Sequence, residues 1–380
     1  METGATIRAR REMPTAVRLG LVFLLLYLFL VGVKALESGI KSFGADFTHT
    51  LFEGVANPLA GLFVGVLATV LVQSSSVTTS TIVGLVGSGS LAVPLAVPMI
   101  MGANIGTTVT NTLASLGYLR RSREFRLAFA GATMHDFFNV LAVAVLLPLE
   151  LLTHFLSRSA EALAALLGRE TSVQVATPDS PIKIAVKAPI TLYESLLEGT
   201  GDTVRGILLL VLGLALIFVA LAFITHNMKL VMAGRIEASM NTLLSKGAGL
   251  AAMMIGLLMT VAVQSSSITT SVLVPMIAAG VLTLRNAYPV TLGANVGTTA
   301  TALLASLATD RPEGLVIALT HTLFNVSGIL VFYPIPALRK LPLLLAGKLA
   351  EVAERRKSVV IAYVLGGFVV LPILGILLLQ

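Results

Sequence analysis

Hydrophobic residues in this chain come in runs too long for the core helices of a soluble domain. Unbroken apolar segments lie at about 17–36, 91–116, 126–149, 205–226, 286–308, 313–333 and 358–379. Each is close to the ~20 residues a helix needs to cross a bilayer. Two more, about 58–90 and 248–282, are apolar at both ends but interrupted near the middle by Gln73-Ser-Ser-Ser76 and Gln264-Ser-Ser-Ser267. Three successive serines cannot share one helical face, since neighbours sit ~100° apart, and Ser, Thr and Gly are mediocre helix-interior residues. Each interrupted segment therefore predicts a re-entrant hairpin, a half-helix that enters, turns near mid-membrane and leaves on the same side. Non-helical backbone is tolerated at that depth only where protein or a cavity surrounds it. The stretches 37–57, 228–247 and 334–357 mix charge with apolar residues and predict amphipathic interfacial helices.

Composition agrees. The chain has 380 residues, 56% hydrophobic and 12% charged, about half the charged share of a soluble protein, and its mean hydropathy is +0.93. The absence of cysteine excludes disulfides and thiolate metal sites, and with no Trp the interfacial anchors are Tyr, Phe, Lys and Arg. Val17–Leu36 lacks a small-residue cleavage site and reads as a retained helix rather than a signal peptide. The net charge of +7 is explained by placement rather than by nucleic-acid binding. Arg8, Arg10, Arg11 and Arg18 precede the first span, and Arg120, Arg121, Arg123 and Arg126 separate the second and third. Lys229, Arg235 and Lys246 follow the fourth, Arg285 follows the second hairpin, and Arg339, Lys340, Lys348, Arg355, Arg356 and Lys357 precede the last. Placing all of these in the cytoplasm puts 18 of 26 basic residues inside, as the positive-inside rule requires. The polar segment Ser157–Thr203, with six acids against four bases, then lies outside. The expected location is a bacterial inner membrane, with a cytoplasmic N-terminus and an extracytoplasmic C-terminus.

The interruptions belong to a larger internal duplication. Gln73-Ser-Ser-Ser-Val-Thr-Thr-Ser80 recurs as Gln264-Ser-Ser-Ser-Ile-Thr-Thr-Ser271, and Gly102-Ala-Asn-Ile-Gly-Thr-Thr108 as Gly293-Ala-Asn-Val-Gly-Thr-Thr299, both displaced by 191 residues. His135-Asp-Phe-Phe-Asn139 is echoed by His321-Thr-Leu-Phe-Asn325 at a displacement of 186. Chance would not hold one register across separate motifs; a transporter built from internal repeats would. Three full crossings separate the two starts, so the second copy is inverted. The fold class expected is an all-α polytopic membrane protein with two inverted-topology repeats. Residues 1–156 form the first repeat, 157–203 an outer linker and 204–333 the second repeat. Residues 334–380 add an amphipathic segment and a terminal span without counterpart.

No Asp, Glu, Lys, Arg or His lies between Asn57 and Tyr118, from Gly247 to Leu284, or from Asn286 to Thr309. The repeat cores offer hydroxyls, amides and glycines that let backbone groups approach a ligand. Such groups can donate to an oxyanion or hold a hard cation such as sodium, and the half-helix N-termini after each serine run favour an anion. Isolated hydroxyls such as Ser115 and Ser306 read as packing or carbonyl-bonding residues. Ser74, Ser75, Ser76, Ser265, Ser266 and Ser267, with Gln73 and Gln264, read as a site, because clustering, interruption and duplication coincide. Asp136 is the one carboxylate between Leu127 and Leu149, and an intramembrane acid is functional by default. Its counterpart is Thr322. His135 and His321 read as structural hydrogen-bonding residues.

At Val72-Gln-Ser-Ser-Ser76, Met101-Gly-Ala-Asn-Ile-Gly106 and Phe129-Ala-Gly-Ala-Thr-Met-His-Asp-Phe-Phe-Asn139, with their second-copy partners, the chain resembles the type II sodium-dependent phosphate cotransporters. The likeness covers about 57–148 and 247–333. It implies a symporter that drives inorganic phosphate inward with co-transported sodium, the duplicated serine motifs lining the phosphate and sodium sites. Thr298 is implied among the sodium ligands, and an Asp at the Asp136 position marks electrogenic members. Divalent phosphate in an uncharged site needs counter-charge, which sodium would supply. The ligand set expected for sodium is Gln264, Ser265 and Thr298 with Asn104, Thr108, Asn139, Asn295 and Asp136. The chain departs from animal members in its short outer segment, without cysteines or glycosylation sites, and in ending after one terminal span.

Alternatives are a symporter for another oxyanion, an intramembrane serine hydrolase and a channel. Neither serine run contains the base a hydrolase nucleophile needs, and opposed hairpins suit occlusion better than an open pore. The partners expected are phosphate, sodium and the lipid bilayer, with homo-oligomerisation left open and nucleic acid excluded.

Overall fold

The computed structural model describes residues 13–43, 57–168, 181–246 and 249–379, with backbone alone for residue 229 and residues 232–246. Arg8, Arg10 and Arg11, most of the interfacial segment predicted at 37–57, and residues 169–180 of the linker lie outside the described residues. In chain order the helices are α1 (Thr15–Ser42), α2 (Pro58–Val72), α3 (Ser75–Ser88), α4 (Val93–Gly106), α5 (Val109–Ser115), α6 (Ser122–Thr153), α7 (Phe155–Leu166) and α8 (Pro181–Leu196). They continue with α9 (Asp202–Lys246), α10 (Gly249–Val263), α11 (Ser266–Ser271), α12 (Leu273–Ala278), α13 (Leu284–Ser306), α14 (Glu313–Phe332) and α15 (Pro336–Arg355). A π-helical stretch, Ala362–Val370, links α16 (Ser358–Ile361) to α17 (Leu371–Leu379), and no strand occurs among the described residues.

Among the described residues, six helical stretches are long and apolar enough to cross a membrane: Thr15–Ser42, Val93–Tyr118, Ser122–Thr153, Asp202–Met228, Glu313–Phe332 and Ser358–Leu379. The protein is therefore a multi-pass membrane protein. Of the seven unbroken spans expected, α13 falls short of that hydropathy because Asn, Thr and Gly crowd it. It is buried by neighbouring helices along most of its length instead.

Helix boundaries follow local chemistry. Asn57 caps α2 by accepting from the Leu59 amide at 2.9 Å, with Pro58 at the first helical position. Thr283 caps α13 through the Asn286 amide at 3.3 Å. The helix predicted separately at 228–247 is the continuation of α9, a single rod of 45 residues, since no proline stops it. The polar segment after Ser157 is not extended: α7 and α8 form within it, burying Leu156, Ala160 and Ala164, and Val186 and Ile190.

α1 packs along α9, α2 on α4, α10 on α13, and α15 on α6. α3 lies against α13 and α14, while α12 lies against α6, so each segment following a serine run leans on helices from the other half of the chain. The α2–α4 and α10–α13 seams are close enough to require glycine. A Cβ on Gly102 would stand 1.9 Å from the Leu62 carbonyl oxygen, and one on Gly293 1.8 Å from that of Met253. At one end of the bundle, Lys34 and Lys41 of α1 converge on Asp310 at 2.6 and 3.0 Å, with the buried Glu37 beside them. Partial burial would raise the Asp310 carboxyl, but the hydrogen bonds and charges of the two lysines outweigh it and hold it below the usual carboxylate range.

Candidate functional site

Both glutamines stop their helices in the same way. Gln73 has φ 56° and Gln264 φ 57°, left-handed conformations that a residue with a Cβ rarely adopts. The next residue is extended in each case, Ser74 at φ −151° and Ser265 at φ −154°, and a new helix begins at Ser75 and Ser266. The side chains explain why glutamine tolerates the turn. Gln73 Nε2 donates to the Val70 carbonyl at 2.5 Å while Oε1 accepts from Thr110 Oγ1 at 3.1 Å. Gln264 repeats this 191 residues later, donating to Val261 at 2.6 Å and accepting from Thr301 at 2.9 Å. Each amide thus satisfies a carbonyl of the ending helix and ties the turn to the neighbouring helix.

The two turns meet. Ser76 Oγ donates to the Gln264 carbonyl at 3.3 Å and accepts from Thr301 Oγ1 at 3.4 Å. Ser74 Oγ caps α3 by accepting from the Val77 amide at 3.3 Å. Among the described residues, the hydroxyls of Ser75, Ser265, Ser266 and Ser267 make no side-chain hydrogen bond, which leaves them available to a ligand. The surroundings are unequal: Gln73 is exposed, whereas Gln264 is buried.

The remaining expected residues fall into groups. Asn104, Asn139 and Asn295 form a buried chain: Asn139 donates to the Asn104 carbonyl at 2.6 Å, and Asn295 donates to Asn139 Oδ1 at 2.7 Å. His135 Nε2 lies 2.5 Å from Asn295 Oδ1. His321 has no bonded ring nitrogen among the described residues, and Asn325 has a free buried Oδ1. Asp136 is fully buried, with Thr108 beside it. Its Oδ2 accepts from Tyr363 at 2.7 Å and from Thr112 at 3.3 Å, while Oδ1 has no partner. No Lys or Arg pairs with it among the described residues. A buried carboxylate with one vacant oxygen, ringed by hydroxyls, has the donor chemistry of a hard-cation site. Thr298 is buried and donates back to the Ala294 carbonyl at 3.1 Å; no side-chain bond joins it to the Gln264 turn.

Several participants were not singled out from sequence. Thr110 and Thr301 lie two residues beyond the repeated motif, so the 191-residue displacement could have found them. Asn111 binds Thr270 at 2.6 Å and Ser271 at 2.9 Å, tying α5 to α11; its counterpart is Ala302 and repetition gives no signal. Tyr363 comes from the unpaired final segment, inside the π-helical stretch, a distortion frequent at functional positions.

The family described as Na+/Pi-cotransporter matches residues 28–168 and 216–347. The chain is 34% identical to the sodium-dependent phosphate transport protein 2A of Ovis aries over 98% of its own length and 69% of that protein. It is 35% identical to protein 2A of Mus musculus over 93% of the chain and 66% of that protein. It is 34% identical to protein 2B of Homo sapiens over 94% of the chain and 64% of that protein. No solved structure matches it significantly. The chain belongs to the Na+/Pi-cotransporter family.

Proposed function

We propose that the protein is a sodium-coupled symporter that imports inorganic phosphate, electrogenically, by alternating access around a midplane site built from Gln73–Ser76 and Gln264–Ser267. The family is one of cotransporters rather than enzymes. The observation that carries the reading is the pair of equivalent left-handed breaks at Gln73 and Gln264, which meet through Ser76 and the Gln264 carbonyl with no charged side chain in either turn. Hydroxyls there can surround an oxyanion but cannot neutralise it, so sodium must enter with phosphate.

Two inverted repeats with re-entrant hairpins account for the lengths. α2 and α10 have 15 residues each, about 22 Å at 1.5 Å per residue, short of the ~30 Å hydrocarbon core. Ending at mid-membrane, they would bring the turns together from opposite sides, with the N-terminus in the cytoplasm. The exposed Gln73 opposite the buried Gln264 suits a conformation open toward one side, the asymmetry that alternating access exchanges. We assign Ser74–Ser76 and Ser265–Ser267 to phosphate, and Gln264, Ser265, Thr298 and the Asn104–Asn139–Asn295 chain to sodium. Asp136 with Thr108 forms a further sodium position.

Uptake of labelled phosphate into proteoliposomes tests the reading. An inward sodium gradient should drive accumulation that a potassium or choline gradient does not. Uptake indifferent to sodium, or sodium-driven uptake of sulfate in place of phosphate, would overturn it.

A further inference from the structure

A cavity of about 230 Å³ opens where the start of α10, the first turn of α13, the end of α14 and the first turn of α15 converge. Arg285, Arg339 and Lys340 line it, together with Tyr288 and Tyr333. Arg339 stacks over the Tyr333 ring, 5.3 Å from its centroid. No carboxylate pairs with any of the three cations among the described residues. Tyr288 is 1% exposed, and its hydroxyl has no hydrogen-bond partner. Its ring is fixed between Phe138 and Tyr333. Concentrated positive charge with an unsatisfied buried donor is chemistry addressed to an anion.

The duplication shows that packing did not require these residues. Ala287, Pro289 and Gly293 match Ala96, Pro98 and Gly102 of the first copy, 191 residues earlier. Around them Arg285, Asn286 and Tyr288 stand where the first copy has Pro94, Leu95 and Val97. The same helix start is thus built without charge in one copy and with a cation and a phenolic hydroxyl in the other. Exposed apolar residues stand next in sequence to its lining elements, Leu250 (71%) after Gly249 and Ile335 (50%) between Tyr333 and Arg339, and its three cations belong to the set that charge placement puts in the cytoplasm.

We infer that this cavity is a second anion site, separate from the serine motifs, which takes a phosphate group on the cytoplasmic face. The group is supplied by the headgroup of an anionic phospholipid or by free inorganic phosphate. Guanidinium and ammonium groups supply the charge, and Tyr288 supplies a neutral donor. Basic pockets between membrane helices on this face are suited to lipid phosphates, and the exposed apolar residues adjoining the lining would receive acyl chains. Free phosphate would use the same donors without that contact.

The test uses the full chain, purified in detergent and stripped of lipid. One arm counts bound dioleoyl phosphatidylglycerol against dioleoyl phosphatidylcholine by native mass spectrometry. The other measures labelled phosphate binding in choline buffer, where the transport site is expected to stay empty. Losing charge-assisted contacts should weaken binding by about tenfold or more in Arg285→Gln/Lys340→Gln, and Tyr288→Phe should weaken it several-fold while keeping the ring. Selective phosphatidylglycerol retention, lost in these variants, assigns the site to lipid; sodium-independent phosphate binding, lost in them, assigns it to free phosphate. If neither probe binds, or both variants bind as wild type does, the inference is overturned. Sodium-driven uptake measured on the same variants reports the transport site separately, so the two readings fail independently.

Discussion

Replacing Asp136 with asparagine removes one negative charge and little else. The side chain is fully buried and unpaired with any cation among the described residues, and its Oδ1 has no partner. An asparagine oxygen can still accept from Tyr363 and Thr112. Without sodium, the variant should be at least as stable as wild type, because it no longer buries an uncompensated carboxylate. In sodium, wild type should gain stability that the variant partly lacks, by linkage to the sodium proposed at Asp136. The transport consequence follows from charge counting. Two sodium ions would balance divalent phosphate, and a third, at the proposed Asp136 position, would make each cycle carry one positive charge inward. That charge gains about 2.3 kcal/mol per 100 mV, nearly two decades of accumulation. The assay is phosphate uptake into proteoliposomes at a valinomycin-set potential. Wild type should respond to the potential, and Asp136→Asn should transport without responding. Indifference in wild type, or an equal response in the variant, would refute this role.

Three further outcomes follow from particular contacts. Thr301→Val should lower stability by about 1–3 kcal/mol because it strands the buried Gln264 Oε1, whereas Thr110→Val should cost less because the exposed Gln73 can turn to water; equal shifts in thermal midpoint would contradict this. Gly102→Ala and Gly293→Ala force a methyl to within 2 Å of a carbonyl oxygen, so each should cost about 1–3 kcal/mol or more; an unchanged melting temperature would show that the seams are not tight. Asp310 is held ionised by Lys34 and Lys41, so its folded pKa lies below the unfolded value and its stabilisation is fully present above the usual carboxylate range. That contribution is lost as pH falls through the depressed value, so the midpoints of wild type and Asp310→Asn should differ at neutral pH and converge in acid.

The turns were legible because the residues that break the helices are unusual in apolar sequence: three serines cannot hide on one face, and the glutamine before them closes the helix through its own side chain. Spans were legible wherever apolar length decided the matter. The helix of α13 was legible too, expected at 286–308 and found at Leu284–Ser306, although its composition is more polar because protein neighbours bury it. The helices inside the 157–203 segment were hidden by the abundance of charge, which masked the short apolar stripe of Ala160 and Ala164. Tyr363 could not be found from repetition, since its segment has no counterpart. The difference in exposure between Gln73 and Gln264 comes from unequal surroundings, which near-identical motifs cannot encode separately.

The measurement that tests the central claim most directly is phosphate binding to the purified protein in sodium and in choline, counting the component abolished in the Ser75→Ala/Ser266→Ala double variant. The account predicts saturable binding in sodium, almost none in choline, and a reciprocal rise in sodium affinity when phosphate is present. Equally tight serine-dependent binding in choline, or undiminished binding in the double variant, would contradict it.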